Sequence, residues 1–493
     1  MRWPVLALAP AICGQALWAE VRFEDMSHHL PPHVYAGGWE HFVGGGVAVL
    51  DCNGDALPDL VAAGGENPAQ LMINRGNMQF TAGGFPTLTG TTGAWPLDAD
   101  GDGHLDLMVL RVGENQLLRG DGSCRFTAAN ADLGFDGGTA WSTSFSATWL
   151  DDALVMAVGN YVDRDNPEGP FGACDDNSLH RKVGARFRAE TLSPGFCALS
   201  ALFARDATGK TRLRLSNDRH YYVRGGSEQM YDLQLGRFLG PEDGWENVQL
   251  WGMGIASRDI TGDGRSEVML TSMGDQLMQI AGADGYYTPA PYALGTYAQR
   301  PHLGDDGRPS TGWHAEFGDI NNDGRADLFI AKGNVDQMPG LAMEDPNSLL
   351  IQQADGSFAE QSVGAGVATT ARSRGAALAD LDGDGRLDLV VMNRRAGMEL
   401  YRNITEVTGN WLQISLRAPA PNTRAVSALV TVTANGQSQL QEVTVGGGHG
   451  GGQSGPLHFG LGAAEAAQVT VTWPDGTLLD LQADANQRLV LTP

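Results

Sequence analysis

The chain has 493 residues, more than one small hydrophobic core organises, so two or more domains are expected. Lys and Arg number 33 against 58 Asp and Glu, a formal charge of −25 that argues against nucleic acid or an anionic membrane surface as partner. Sixty-seven glycines, scattered among alternating apolar runs and turn dipeptides, favour an all-β chain over a helical one.

Residues 1–19 read as a signal peptide, with Arg2 as the positive end, an apolar stretch from Val5 to Cys13, and Ala19 before a cut at Glu20. The stretch is too short to remain as a membrane span, and no later run reaches the roughly 18 apolar residues required, so no transmembrane segment is expected. A lipid anchor on Cys13 is a weaker alternative, because Ile12 stands where a small residue should precede it. The mature chain is therefore expected to be secreted or periplasmic, leaving Cys52, Cys124, Cys174 and Cys197 in an oxidising compartment. Four cysteines allow three pairings. The expected set is Cys174–Cys197, closing an irregular loop, and Cys52–Cys124, between neighbouring repeats; free buried thiols are the alternative. His28, His29, His33 and His41 follow the leader, but their spacing fits no standard metal site.

From Gly44 onward one unit recurs: a small, Gly-rich apolar strand, an acidic loop, and a second apolar strand. Intact loops open at Asp51, Asp98, Asp259, Asp319 and Asp380. Two worn copies fill the wide gap, one around Asp151 that has lost the loop and one around Asp206. In the Asp206 copy, Lys210 and Arg214 replace acids, and Arg214 is expected to pair with Asp206 in place of a cation. The seven starts are 47 to 61 residues apart, and outer turns such as those at Asn74 and Gln353 supply further strands. Seven near-even units predict a seven-bladed β-propeller of four-stranded blades over residues 20–408.

Each intact loop places oxygen-bearing side chains at positions one, three, five and nine. They are Asp51, Asn53, Asp55 and Asp59; Asp98, Asp100, Asp102 and Asp106; Asp259, Thr261, Asp263 and Glu267; Asp319, Asn321, Asp323 and Asp327; and Asp380, Asp382, Asp384 and Asp388. Hard oxygens in this alternation wrap a large cation with six to eight ligands, the preference of calcium, and about five Ca²⁺ sites are expected. No Cys or His holds a ligand position, which argues against zinc or copper. An EF-hand needs a Glu at position twelve and a following helix. Ala62, Val109, Leu270, Ile330 and Val391 stand there instead, within strand-like sequence. Seventeen carboxylates crowd these loops, and the two with four each, at Asp98 and Asp380, are expected to bind tightest.

Arg119-Gly120-Asp121 falls on an outer turn and is read as coincidence, and Asn403-Ile404-Thr405 is a glycosylation sequon. Residues 409–493 alternate as strands around turns at Asn435-Gly436 and Asp475-Gly476, which predicts a small β-sandwich-like domain packed on the propeller. Its glycine run Gly446–Gly452 lacks the Lys-Ser/Thr of a phosphate loop and reads as a mobile or close-packed turn.

The loops resemble those between FG-GAP/VCBS-type strands in integrin-α-like propellers. The tail resembles the ASPIC/UnbV domain of the cartilage acidic protein-like family, bacterial type, through Asn410-Trp411-Leu412, Ala428–Val432, Gly446–Gly452, Leu457 to Gly462 and Val471 to Gly476. The family's asparagine-arginine run survives only as Asn422-Thr423-Arg424. The resemblance implies an exported calcium-binding protein. No Ser/His/Asp order, nucleophile elbow or zinc-protease helix nominates a catalytic set. The chain is read as a binding, adhesion or scaffold protein for an unknown protein or glycan rather than as an obvious enzyme. A calcium-dependent carbohydrate-active lyase or hydrolase, with its site in the propeller channel, is the alternative.

Overall fold

In the computed structural model the described residues are 20–167, 172–218, 225–297, 303–305, 307–336, 338–406 and 408–493. The signal peptide and the lipid-anchor alternative at Cys13 lie outside them. The repeat unit forms seven antiparallel four-stranded blades. Blade 1 runs from Val47–Leu50 out to Phe80–Ala82, and blade 2 from Thr91–Leu97 to Phe126–Ala128. Blades 3 and 4 run from Ser142–Leu150 to Arg186–Leu192 and from Ala198–Arg205 to Arg237–Phe238. Blades 5 and 6 run from Gly252–Arg258 to Tyr287–Pro289 and from Gly312–Gly318 to Phe358–Glu360. Blade 7 supplies three strands, Ser373–Ala379, Asp388–Asn393 and Glu399–Asn403, and borrows its fourth from the N-terminus. Phe23–Asp25 pairs antiparallel with Glu399–Asn403, so the first strand among the described residues closes the ring on the last blade.

The blades are buried on both faces and pack through apolar layers between neighbours. Phe329 and Ile351 of blade 6 meet Leu378, Leu389 and Val391 of blade 7 in one such layer. Position twelve of every intact loop lies within a strand, as the sequence indicated. The worn third unit is a two-residue hairpin at Asp151-Asp152, both left-handed at φ 48° and 62°, which leaves no loop to hold anything. The disulfides are Cys52–Cys124, joining blade 1 to the outer turn of blade 2, and Cys174–Cys197.

The tail is a sandwich of two sheets. Asn410–Leu416 lies between Leu457–Gly462 and Gln487–Leu491 in one; Leu429–Ala434, Gln437–Glu442, Ala466–Thr472 and Leu478–Asp484 form the other. Leu412, Ile414, Val430, Phe459, Val469 and Trp473 fill the space between them.

This domain does more than pack on the propeller, because its glycine run enters the central channel. Val445 accepts from Ala147 of blade 3 at 3.1 Å, Gly447 donates to Ala201 of blade 4 at 2.8 Å, and Gly448 to Ile255 of blade 5 at 2.6 Å. The backbone of His449 donates to the His314 ring of blade 6 at 3.0 Å. Gly450 then accepts from Ala94 of blade 2, and Gln453–Ser454 runs parallel to the first strand of blade 1. The run is close-packed, with His449 fully enclosed beside Trp313.

Five residues before each loop start, the innermost strand carries Gly46, Gly93, Ser146, Ala201, Gly254, His314 or Gly375. All but one are small, and the plug is the reason. A Cβ on Gly46 would lie 1.6 Å from the Gly450 carbonyl oxygen, and one on Gly93 would lie 2.0 Å from it.

Candidate metal centres

The acidic loops join the first and second strands of their blades, so the radial repeat sets them all on one face. At position one the carboxylate turns inward and accepts N–H groups of its own loop. Asp98 takes Gly101 at 2.7 Å and Gly103 at 2.8 Å, and Asp380 takes Gly383 at 2.8 Å and Gly385 at 3.0 Å. The turn forces position six left-handed, at φ 83° to 92° for Gly103, Gly264, Gly324 and Gly385. Ala56 adopts the same region at φ 67°, so the loop that lacks the glycine keeps its shape at some strain.

Position nine begins the second strand and staples the loop to the third. Asp106 accepts from Ala99 and Gly120, and Asp388 from Leu381 and Asn403, all at 2.9 Å. Burial pushes these acids up, Asp59 to about 6 and Asp106 and Glu267 to about 7, with the other loop carboxylates adding to the shift. Asp327 and Asp388 are raised well above the usual carboxylate range for the same first cause. In blade 6 burial, then Asp323, raises Asp319 to about 8.

Two loops draw three carboxylates together. Asp98, Asp100 and Asp106 offer oxygens within 4.8 Å of one another, as do Asp380, Asp382 and Asp388. These are the two loops with four acids. Their fifth-position acids stand apart: Asp102 is exposed, and Asp384 is engaged by Arg386 and, at 3.5 Å, by Arg402, whose closer contact, at 2.7 Å, is to Asp382. Asp263 and Asp323 are likewise held by Arg265 and Arg325 from position seven of their own loops. In blade 1, Asn53 donates to Asp55 at 2.8 Å, while Asp59 lies against the Cys52–Cys124 disulfide, whose sulfurs are bonded to each other.

Arginine occupies position seven in three loops and supplies an internal cation that the sequence reading did not use. In the worn fourth unit the expected cation is displaced by one pleat. Arg212, next to the hairpin turn, pairs with Asp206 at 2.5 Å and with Asp232 at 3.2 Å. Arg214 shares its face but sits two residues, roughly 6.6 Å, further along the strand. It donates to Gln279 at 2.5 Å and stacks between Trp245 and Tyr287.

An inter-blade clasp was also missed. Asn74, Asn403 and Gln352 end the third strands of blades 1, 7 and 6. Each side-chain amide donates to the carbonyl at position two of the preceding blade's loop, respectively Leu381, Ile320 and Ile260, at 2.8 to 3.0 Å. Asn403 is thus fully buried, and its amide nitrogen is committed to protein carbonyls rather than presented as a sequon. Arg119, within the Arg-Gly-Asp tripeptide, is bound to Asp100 at 2.8 Å. His33 binds the Ala63 carbonyl, His41 faces Glu66, and the rings of His28 and His29 lie against each other at 4.1 Å, so the four N-terminal histidines do not share one site.

The tail descends on the same two loops. Gln413 and Arg488 donate to Asp380 at 2.7 and 2.9 Å. Thr423 donates to Asp98, and Arg424 to the Gly103 carbonyl at 3.2 Å. The remnant of the asparagine-arginine run therefore lands on the blade 2 loop.

The family described as "FG-GAP-like repeat" matches residues 51–109 and 335–391, and "ASPIC and UnbV" matches residues 418–493. Cartilage acidic protein 1 of Mus musculus and of Homo sapiens is 26% identical over 164 residues, 33% of this chain and 25% and 24% of theirs. The chain thus spans about a quarter of the length of these curated relatives. Among solved structures, one of BBS1N in complex with ARL6DN is similar at a TM-score of 0.46 and 8% identity, covering 80% of this chain and 99% of that one.

Proposed function

For a chain that carries FG-GAP-like repeats and ends in an ASPIC/UnbV domain, we propose an exported, calcium-stabilised binding or scaffold protein. Repeats and tail domain alike point to binding or scaffolding. The finer reading, calcium, is carried by the paired three-carboxylate groups at Asp98, Asp100 and Asp106 and at Asp380, Asp382 and Asp388. Buried acids raised by desolvation and by one another are costly when ionised, and a divalent ion bound among them turns that cost into folding energy. The position-one, three and nine carboxylates would begin the shell and the position-seven carbonyl would add to it, a hard-oxygen chemistry suited to calcium. Calcium here would stiffen the loop that touches the next blade and the tail, holding a rigid wheel for a protein or glycan partner.

Export is supported by the two disulfides, which persist in oxidising compartments, and among the described residues no helix is long and apolar enough to cross a membrane. The carbohydrate-active alternative needs an open channel, and Val445 to Ser454 occupy that space. Melting curves with calcium and with a chelator test the proposal. A substantial fall in melting temperature on chelation, restored by calcium and not by magnesium, is the expected result. Superimposable curves would sink it.

A further inference from the structure

We propose that the cleft between propeller and tail binds a small organic monoanion, a carboxylate on a body of monosaccharide size or larger. A cavity of about 560 Å³ lies there, within the range of small-molecule sites, roofed by the tail and floored by the plug and innermost strands. Four arginines line it, Arg258 from blade 5 and Arg417, Arg424 and Arg488 from the tail, and Arg488 is already paired with Asp380 at 2.9 Å. Among the described residues none of the other three has a carboxylate within 4.0 Å. Arg417 donates only to its neighbour's carbonyl at 3.1 Å, and the buried Nε of Arg424 has no acceptor. The Arg258 side chain makes no hydrogen bond among the described residues, although Asp319 and Asp259 lie in its field.

A guanidinium partly withdrawn from bulk water without a carboxylate, as at Arg258 and Arg424, is costly, and its planar fork matches a carboxylate. Most acids on the same wall are engaged within the protein. Asp51, Asp98 and Asp380 accept from their own loops, the last two also from the tail, Glu316 accepts from Leu378, Gln453 and His314, and Glu442 accepts from the Arg205 backbone while its second oxygen has no partner. They also set the ligand's charge, since a dianion would meet them as like charges, whereas a single carboxylate need face only the arginines. Trp149 and Ile255 offer apolar wall to the ligand's body. Arg417 is exposed at the rim, where it would meet the anion on entry.

Asp98 and Asp380 border the cavity, so binding is measured in calcium, and its readout, the heat of ligand binding, is separable from the melting experiment. Isothermal titration of the full mature chain in calcium, with glucuronate, glucose and inorganic sulfate as probes, decides it. Glucuronate is expected to bind with glucose silent, and Arg417→Gln, at the exposed rim, to weaken binding at least five-fold without altering the melting curve. Arg258→Gln should weaken it at least ten-fold, with Arg258→Lys between. The proposal is overturned by no glucuronate binding at millimolar concentration, by sulfate binding without glucuronate, or by wild-type affinity in folded Arg258→Gln and Arg417→Gln.

Discussion

Gly46→Ala adds one methyl group where the plug crosses blade 1, and the geometry leaves no room for it. The new carbon would sit 1.6 Å from the oxygen and 2.0 Å from the carbon of the Gly450 carbonyl. Restoring ordinary contact requires a retreat of roughly 1.5 Å or more. Both obstructing atoms are backbone, so no side-chain rotation relieves the clash. The plug is tied to its neighbours by backbone hydrogen bonds at Val445, Gly447, Gly448, Gly450 and Gly452. Overpacking of this kind costs about 1–3 kcal/mol, and each plug hydrogen bond lost on expulsion adds about 1 kcal/mol. We therefore expect Gly46→Ala to lose at least about 3 kcal/mol and to expose the junction before Asn410 to protease. Gly84→Ala is the control, because its added carbon meets nothing within 4 Å. Thermal melting with limited proteolysis reads both effects. Wild-type melting and an uncut tail in Gly46→Ala would refute the plug as a tightly packed element.

Asp382→Ala should lower the melting temperature much more in calcium than in chelator, where only its ion pair with Arg402 is lost, with about 2.7 kcal/mol at stake at a hundred-fold excess of ion over Kd. Equal losses in both conditions would mean that the side chain only shapes the turn. Replacing Cys174 and Cys197 by serine opens a link spanning 23 residues and should cost about 3 kcal/mol in denaturant titration, an effect absent under reducing conditions. Glu442, between plug and tail, is raised to about 7 by burial. The stability of its protonated form is fully present below about 4.5 and is lost as pH rises through 7. Glu442→Gln should thus match wild type at pH 4 and gain about 2–3 kcal/mol at pH 8. A gain of equal size at both pH values would show that packing, not charge, is responsible.

Much of this architecture is legible in the chain because the repeat imposes it five times over. Alternating acids between two apolar strands locate blades 1, 2, 5, 6 and 7, and their spacing implies the two worn units between. What stayed hidden is long-range or carried by residues with little side-chain signal. The closing strand Phe23–Asp25 has only three residues, too few for a period to register. Gly46, Gly93, Gly254 and Gly375 read as small strand residues, but their shared purpose, admitting a second backbone, depends on a segment that in blade 1 begins some 400 residues later. The arginines at 265, 325 and 386 did recur in register and could have been read as internal counter-ions. Choosing Arg212 over Arg214 required knowing where the hairpin turned.

Metal content measured by mass spectrometry, on protein equilibrated with calcium and desalted, tests the central claim most directly. The account predicts at least two and up to five calcium ions per chain, with Asp98→Ala and Asp380→Ala each removing one. Fewer than one calcium per chain, or a full complement retained in both variants, would contradict it.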